Sequence, residues 1–233
     1  MDKKISNQEA FSNKVVWITG ASAGIGEEMA VAFARSGSKL VLSARNSEQL
    51  ERVEKRCYEA GADREGVLVI PLDVVDLDAM PGAVDKVMEA YSRIDLLINN
   101  AGVGVRDFCT EVQLDLYRTA LEVNLMGPIA LTKQVLPIMI KQGSGHIAGT
   151  SSVAGKVGIP LRTAYCAAKF GLIGFLDALR AEVAYHRIKV STIIPGLVKT
   201  GAVANAMTGD GSLIGTEEGV MTEGLTAEEA AAA

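Results

Sequence analysis

From Asn13 onward, short apolar runs alternate with longer stretches in which apolar residues recur at helical spacing. KVVWITG is such a run, ending in glycine, and GIGEEMAVAFARSG follows with Met29, Ala30, Phe33 and Ala34 on one helical face. SKLVLSARN predicts a second strand, SEQLERVEKRCYEAG a helix opened by Ser47, VLVIPLDV a third strand and DAMPGAVDKVMEAYSR a third helix. IDLLINNAG predicts the fourth strand, and a long helix runs from roughly Asp115 to Gln142 with a bend near Pro128. GHIAGTSS is the fifth strand, roughly Thr163 to His186 a second long helix, and IKVSTIIPG the sixth strand.

These strands are continuous apolar runs, the pattern of strands buried on both faces. Their alternation with helices predicts an α/β fold, a single doubly wound parallel sheet with helices on both faces. No linker, repeat or low-complexity segment interrupts residues 13–200, which read as one domain behind a polar extension over residues 1–12. The tail over residues 201–233 is rich in Gly, Thr and Glu and shows no clear strand.

Composition narrows the partners. With 48% hydrophobic and 22% charged residues, the 233-residue chain can bury a sizeable core. A formal charge of −5 and a pI near 5.2 give no basic surface for nucleic acid. The amino terminus is polar, and no apolar run approaches the roughly 20 residues of a membrane span, so a soluble, cytoplasmic protein is expected. Cys57, Cys109 and Cys166 leave at least one thiol unpaired and form no metal-ligand spacing, which fits a reducing compartment. His146 and His186 lie far apart, so no metal site is expected.

The first strand runs into TGASAGIG, with Gly20, Gly24 and Gly26 placed for a tight turn, close approach of a diphosphate and close helix packing. At the end of the second strand, SARN puts Ala44 where a carboxylate would bind the ribose hydroxyls of NAD, and Arg45 beside it. A guanidinium forms charge-assisted bonds to a 2′-phosphate, so Arg45, helped by Asn46 or Ser43, points to NADP(H). Asp73 ends the third strand at a rim where adenine can rest. Asn99, Asn100, Ala101 and Gly102 end the fourth, at the crevice where strand order reverses.

AYCAAKFG places Tyr165 and Lys169 four residues apart, on one helical face. A neighbouring ammonium should lower the phenol pKa and make it a usable acid and base. Ser151 and Ser152 end the fifth strand, where a hydroxyl can orient a substrate oxygen. Cys166 reads as a small packing residue.

Taken in order, TGASAGIG, NNAG, SS followed by YCAAK, and PG after the sixth strand resemble the short-chain dehydrogenase/reductase family, from about Asn13 to Thr200. The stretches GPIALTKQVLPIMIKQGSGHI and NAMTGDGS are most similar to the subgroup of dehydrogenase/reductase member 7-type proteins. The resemblance implies a Rossmann-type fold. It implies Tyr165 as acid/base, Lys169 as the group that lowers its pKa and holds the nicotinamide ribose, and Ser152 rather than Ser151 as the substrate-orienting residue. Asn124 matches an asparagine that holds a water in a proton relay toward the lysine.

For the cofactor, it implies contacts from Gly20, Ser22, Gly24, Ile25 and Gly26 to diphosphate and ribose, and from Asp73 and Asn100 to the adenosine half. Pro195, Gly196, Val198 and Thr200 match the segment that holds the nicotinamide carboxamide, and Arg45 the basic position of NADP-preferring members. The implied activity is interconversion of a secondary alcohol and a ketone. The same fold also serves epimerases or dehydratases that retain the cofactor, and non-catalytic dinucleotide-binding proteins. The two long helices are expected to build a homodimer or homotetramer. Val153, Val157, Ile159 and Leu161 fit either a hydrophobic carbonyl substrate or the packing of their own loop. Family members continue into a helix and a seventh strand, so the sequence is expected to be incomplete beyond Ala233.

Overall fold

A computed structural model describes residues 10–215 and 224–232. Six parallel strands stand in the order β3-β2-β1-β4-β5-β6: β1 Val15–Thr19, β2 Lys39–Ala44, β3 Val67–Pro71, β4 Leu96–Asn99, β5 Gly145–Thr150 and β6 Ile188–Ile193. The strand order reverses between β1 and β4, where Trp17 pairs with both Val41 and Leu97. An open parallel sheet takes its ligand at that reversal, beyond the carboxyl ends of the strands.

Helices cover both faces, which is why the strands carry no polar alternation. On one face α1 (Gly24–Arg35) and α2 (Ser47–Glu59) pack Met29, Ala30, Leu50 and Val53 over Ile18, Leu40, Leu42 and Ile98. On the other, α3 (Ala79–Tyr91) and the two long helical stretches bury Val87, Leu131, Met139, Leu172 and Leu176 against Trp17, Leu97 and Ile147. The buried Trp17 Nε1 donates to Ser43 Oγ at 2.9 Å, so the largest core side chain leaves no polar atom unpaired.

The first long stretch departs from the expected single bent helix. It is α4 (Leu114–Leu121), a π-helical segment Glu122–Met126, and α5 (Gly127–Gln142). Pro128 lacks the N–H that would close the α-helical turn onto Asn124. The preceding Gly127 N–H bonds instead to the Glu122 carbonyl, five residues back. The continuous helical length from Leu114 to Gln142 is long and apolar enough to cross a membrane by length and composition, which the reading of short apolar runs missed. Leu131, Val135 and Met139 account for that apolarity by packing into the sheet core.

The second long stretch is α6 (Thr163–Val183), tightening into a 3₁₀ turn at Ala184–His186. The tail holds more order than its composition suggests. Val198–Lys199 (β7) pairs in parallel with Leu225–Thr226 (β8), which leads into α7 (Ala227–Ala232). Thr226 Oγ1 accepts from the Glu229 N–H at 3.1 Å, while Glu229 accepts from the Thr226 N–H at 2.8 Å. This reciprocal cap is written in the sequence as T-x-x-E.

Candidate active site

Gly20 leaves β1 with φ at 65°, and a side chain there would meet the Ala101 Cα at 2.8 Å. At Gly26 a side chain would collide with the Gly20 carbonyl oxygen, so α1 can start only this close to the strand if that residue is bare. Thr19 Oγ1 accepts from the Asn100 and Ala101 N–H groups at 3.0 and 3.1 Å, and Asn100 Nδ2 donates to the Thr19 carbonyl at 3.1 Å. The ends of β1 and β4 are thereby fastened together. Ala23, at the start of α1, offers no side-chain cap, so the first N–H groups of the helix remain for an anion. Ser22 in this loop and Ile25 in the first turn of α1 are half-buried, and Gly24, with φ at 58°, approaches Thr200.

A clamp behind the loop went unrecognised in the sequence. Glu27, in the first turn of α1, is buried and accepts from Arg52 Nη1 and Nη2 at 2.5 and 2.6 Å and from Arg56. Burial pushes its carboxyl up, but the two arginines outweigh burial and hold it below the usual carboxylate range. Arg52 Nη2 also donates to the Ser22 carbonyl at 3.1 Å, tying α2 to the glycine loop. The R-x-x-x-R spacing on α2 was the available signal.

At the adenosine end, Arg45 is exposed and lines a cavity of about 290 Å³ with Asp73, Val75, Arg118, Thr119, Glu122 and Val123. Each expected helper already holds one bond within the protein. Ser43 turns inward to Trp17, and Asn46 caps α2 by accepting from the Gln49 N–H at 3.0 Å. Arg118, from α4, joins the cavity instead. Asn100 Nδ2 donates to the Thr19 and Gly20 carbonyls of the glycine loop. Asn99 points into the core, donating to Thr132 Oγ1 at 3.0 Å.

At the other end, Ser151 is buried and its Oγ donates to the Lys169 carbonyl at 3.2 Å. Ser152 stands half-exposed, its Oγ accepting from the Ala154 N–H at 3.2 Å, so its own proton can go to the Tyr165 phenol oxygen or to a substrate oxygen. Lys169 is 3% exposed, its Nζ donates to the Thr150 carbonyl at 2.8 Å, and it lies 5.6 Å from the Tyr165 ring centre. The ammonium lies over the ring. Burial pushes Lys169 down to about 8. Burial also pushes the Tyr165 phenol above its ordinary value, with the Ser152 hydroxyl and the Arg162 charge only partly opposing it. In the free protein the phenol thus lies above its ordinary value, opposite to the expected direction.

Asn124 is fully buried in the π segment. Its Nδ2 donates to the Val103 and Ala120 carbonyls at 3.0 and 2.9 Å, and its Oδ1 accepts from the Val103 N–H at 3.2 Å. Its side chain thus clamps the chain leaving β4, beside Gly102, where a Cβ would lie 3.5 Å from Lys169 Nζ. Pro195 and Thr200 are half-buried, Gly196 is exposed, and Val198 is held in β7. Cys166 is buried against the loop at Ile159, as a packing residue.

The glycine cradle, the uncapped start of α1 and the buried lysine beside two serines fit a nicotinamide dinucleotide. The profile described as short chain dehydrogenase matches residues 14–210. A Drosophila melanogaster relative named dehydrogenase/reductase SDR family protein 7-like is 42% identical over 98% of this chain and 70% of its own length. A short chain dehydrogenase/reductase from Burkholderia phymatum in complex with NAD superposes with a TM-score of 0.84 at 27% identity, covering 95% of this chain and 84% of that one. A metagenomic short-chain oxidoreductase in complex with NADP gives 0.75 at 34% identity, covering 80% and 83%. With its reversal-point cradle and its serine, tyrosine and lysine in order, the chain belongs to the short-chain dehydrogenase/reductase family, in its dehydrogenase/reductase member 7-type subgroup.

Proposed function

We propose that the protein is an NADP(H)-dependent oxidoreductase that interconverts a secondary alcohol and a ketone. The observation that carries the chemistry is the meeting of Ser152, Tyr165 and Lys169 at the carboxyl end of β5. The nicotinamide, when bound, supplies or accepts the hydride. Tyr165 holds the proton at its phenol oxygen. In reduction it gives that proton to the substrate oxygen, and the raised pKa keeps it loaded at neutral pH. Ser152 directs its hydroxyl proton to the same oxygen and stabilises charge developing there. Lys169 has two donors beyond the one spent on Thr150, enough to hold the hydroxyls of a ribose.

Arg45 supports NADP over NAD. No carboxylate ends β2, and the guanidinium lines the cavity beside Asp73. The exposed Val153 and Val157 support a hydrophobic carbonyl compound as substrate. Exposed Met126 and Phe170, on the long helical stretches, support a homo-oligomer, and the free thiol of exposed Cys109 supports the reducing cytoplasm.

A panel of ketones with NADPH tests the activity. Nicotinamide absorbance should fall with wild type and not with Tyr165→Phe; substrate consumed at constant absorbance would overturn the redox reading. Arg45→Ala should erode the ratio of NADPH to NADH efficiency. An unchanged ratio would remove Arg45 from the 2′-phosphate.

A further inference from the structure

Thr150 ends β5, and its Oγ1 is the one buried side-chain nitrogen or oxygen among the described residues that has no hydrogen-bond partner. The neighbouring buried hydroxyls are all engaged: Thr19 with Asn100 and Ala101, Ser43 with Trp17, Thr132 with Asn99 and Ser151 with the Lys169 carbonyl. A buried hydroxyl without a partner destabilises the fold, and valine would fill the same space without that loss.

The direction of this hydroxyl follows from the strand. Ile147 packs with Leu172 and Leu176, and a Cβ on Gly149 would lie 2.6 Å from Leu176, so both face α6. Ala148 packs with Ile18, Ala30 and Ile98 on the face of α1. Side chains alternate along a strand, which sends Thr150 to the α1 face, at the carboxyl rim of the sheet on the side of the glycine loop. Its carbonyl meanwhile receives Lys169 Nζ. Arg45 and Asp73 stand beyond the ends of β2 and β3; with β1 and β4 between, β5 lies about 14 Å from β2 at ordinary strand spacing. Thr150 is therefore at the reactive end of the crevice, far from the adenosine end.

We propose that Thr150 is a cofactor-contact residue whose hydroxyl hydrogen-bonds the nicotinamide half of the dinucleotide. The unpaired oxygen of the free protein is retained because it gains a partner in the complex. The proposal rests on dinucleotide binding at this crevice and is independent of the choice between NADP and NAD.

The test uses Thr150→Val, which removes only the hydroxyl, and Thr150→Ser, which keeps it. Calorimetric titration compares whichever of NADPH and NADH binds wild type more tightly with its adenosine fragment, 2′,5′-ADP or ADP. Thr150→Val should weaken the whole dinucleotide about fivefold to tenfold, the range of one hydrogen bond, and leave the fragment unchanged. The melting temperature of the free valine variant should rise, while Thr150→Ser should bind the dinucleotide as wild type does. An unchanged dinucleotide-to-fragment ratio in Thr150→Val, or equal weakening of both, overturns the role of Thr150 alone. Failure of wild type to bind either dinucleotide overturns it together with the reading beneath it.

Discussion

Replacing Lys169 with methionine should stabilise the free protein while abolishing turnover, and the gain should depend on pH in a defined sense. Lys169 is buried in full, its ammonium has one hydrogen bond to protein, and burial takes its pKa from 10.5 to about 8. That fall corresponds to about 3 kcal/mol of penalty on the charged form. Below pH 8 both folded and unfolded lysine are protonated, so the folded state carries the whole penalty. Between about 8 and 10.5 the unfolded chain binds the extra proton, so stability rises with pH by about 1.4 kcal/mol per pH unit until the penalty is gone.

Other groups titrate there in the opposite sense. Burial raises Cys57 and Tyr91 to about 12, so they lose stability as pH climbs. These groups are common to both proteins and cancel in the difference between variant and wild type. Urea melts of both proteins at pH 7.0 and 9.5 would measure that difference. The advantage of Lys169→Met should shrink by about 2 kcal/mol across this range. An advantage that stays constant with pH would refute the reasoning, because it would show that Lys169 is not an ammonium held under burial strain.

Three further outcomes are expected. Arg52→Met should raise the KM for the dinucleotide several-fold and leave kcat at saturation near wild type, because Arg52 steadies the glycine loop through the Ser22 carbonyl; an unchanged KM would detach it from the cofactor. Asn124→Ala removes two bonds that hold the Val103 segment and one to the Ala120 carbonyl, and should cost about 2–4 kcal/mol in urea melts, where a loss below ~1 kcal/mol would mean that the segment is held by other contacts. Because the Tyr165 phenol titrates above its ordinary value, alcohol oxidation should keep rising through the alkaline range while ketone reduction falls; parallel profiles in initial-rate assays would argue against Tyr165 as the proton carrier.

The sequence carried the sheet, the helices on both faces and the order of the motifs. Strands buried on two sides must be continuously apolar, as in VVWIT and LLIN, and helices covering them must repeat their apolar residues every turn. It also separated Arg45 from an NAD-type carboxylate, since that difference is a single residue type at a strand end. The π segment was legible only as a bend near Pro128, because a proline announces a missing hydrogen bond but not how the preceding turn rearranges.

What the tertiary structure decided was how each polar group is employed. Asn46 caps a helix through its Oδ1 and Asn100 fastens the glycine loop through its Nδ2, bonds that their place in the sequence does not announce. The Tyr165 pKa rises rather than falls because acidity depends on the depth of burial and on where the Lys169 ammonium points. Spacing along a helix fixes neither. Glu27 meets Arg52 and Arg56, and Thr150 keeps an unpaired oxygen, through contacts between distant segments. A sequence names the donors and acceptors, but only the packed chain determines which of them are left over.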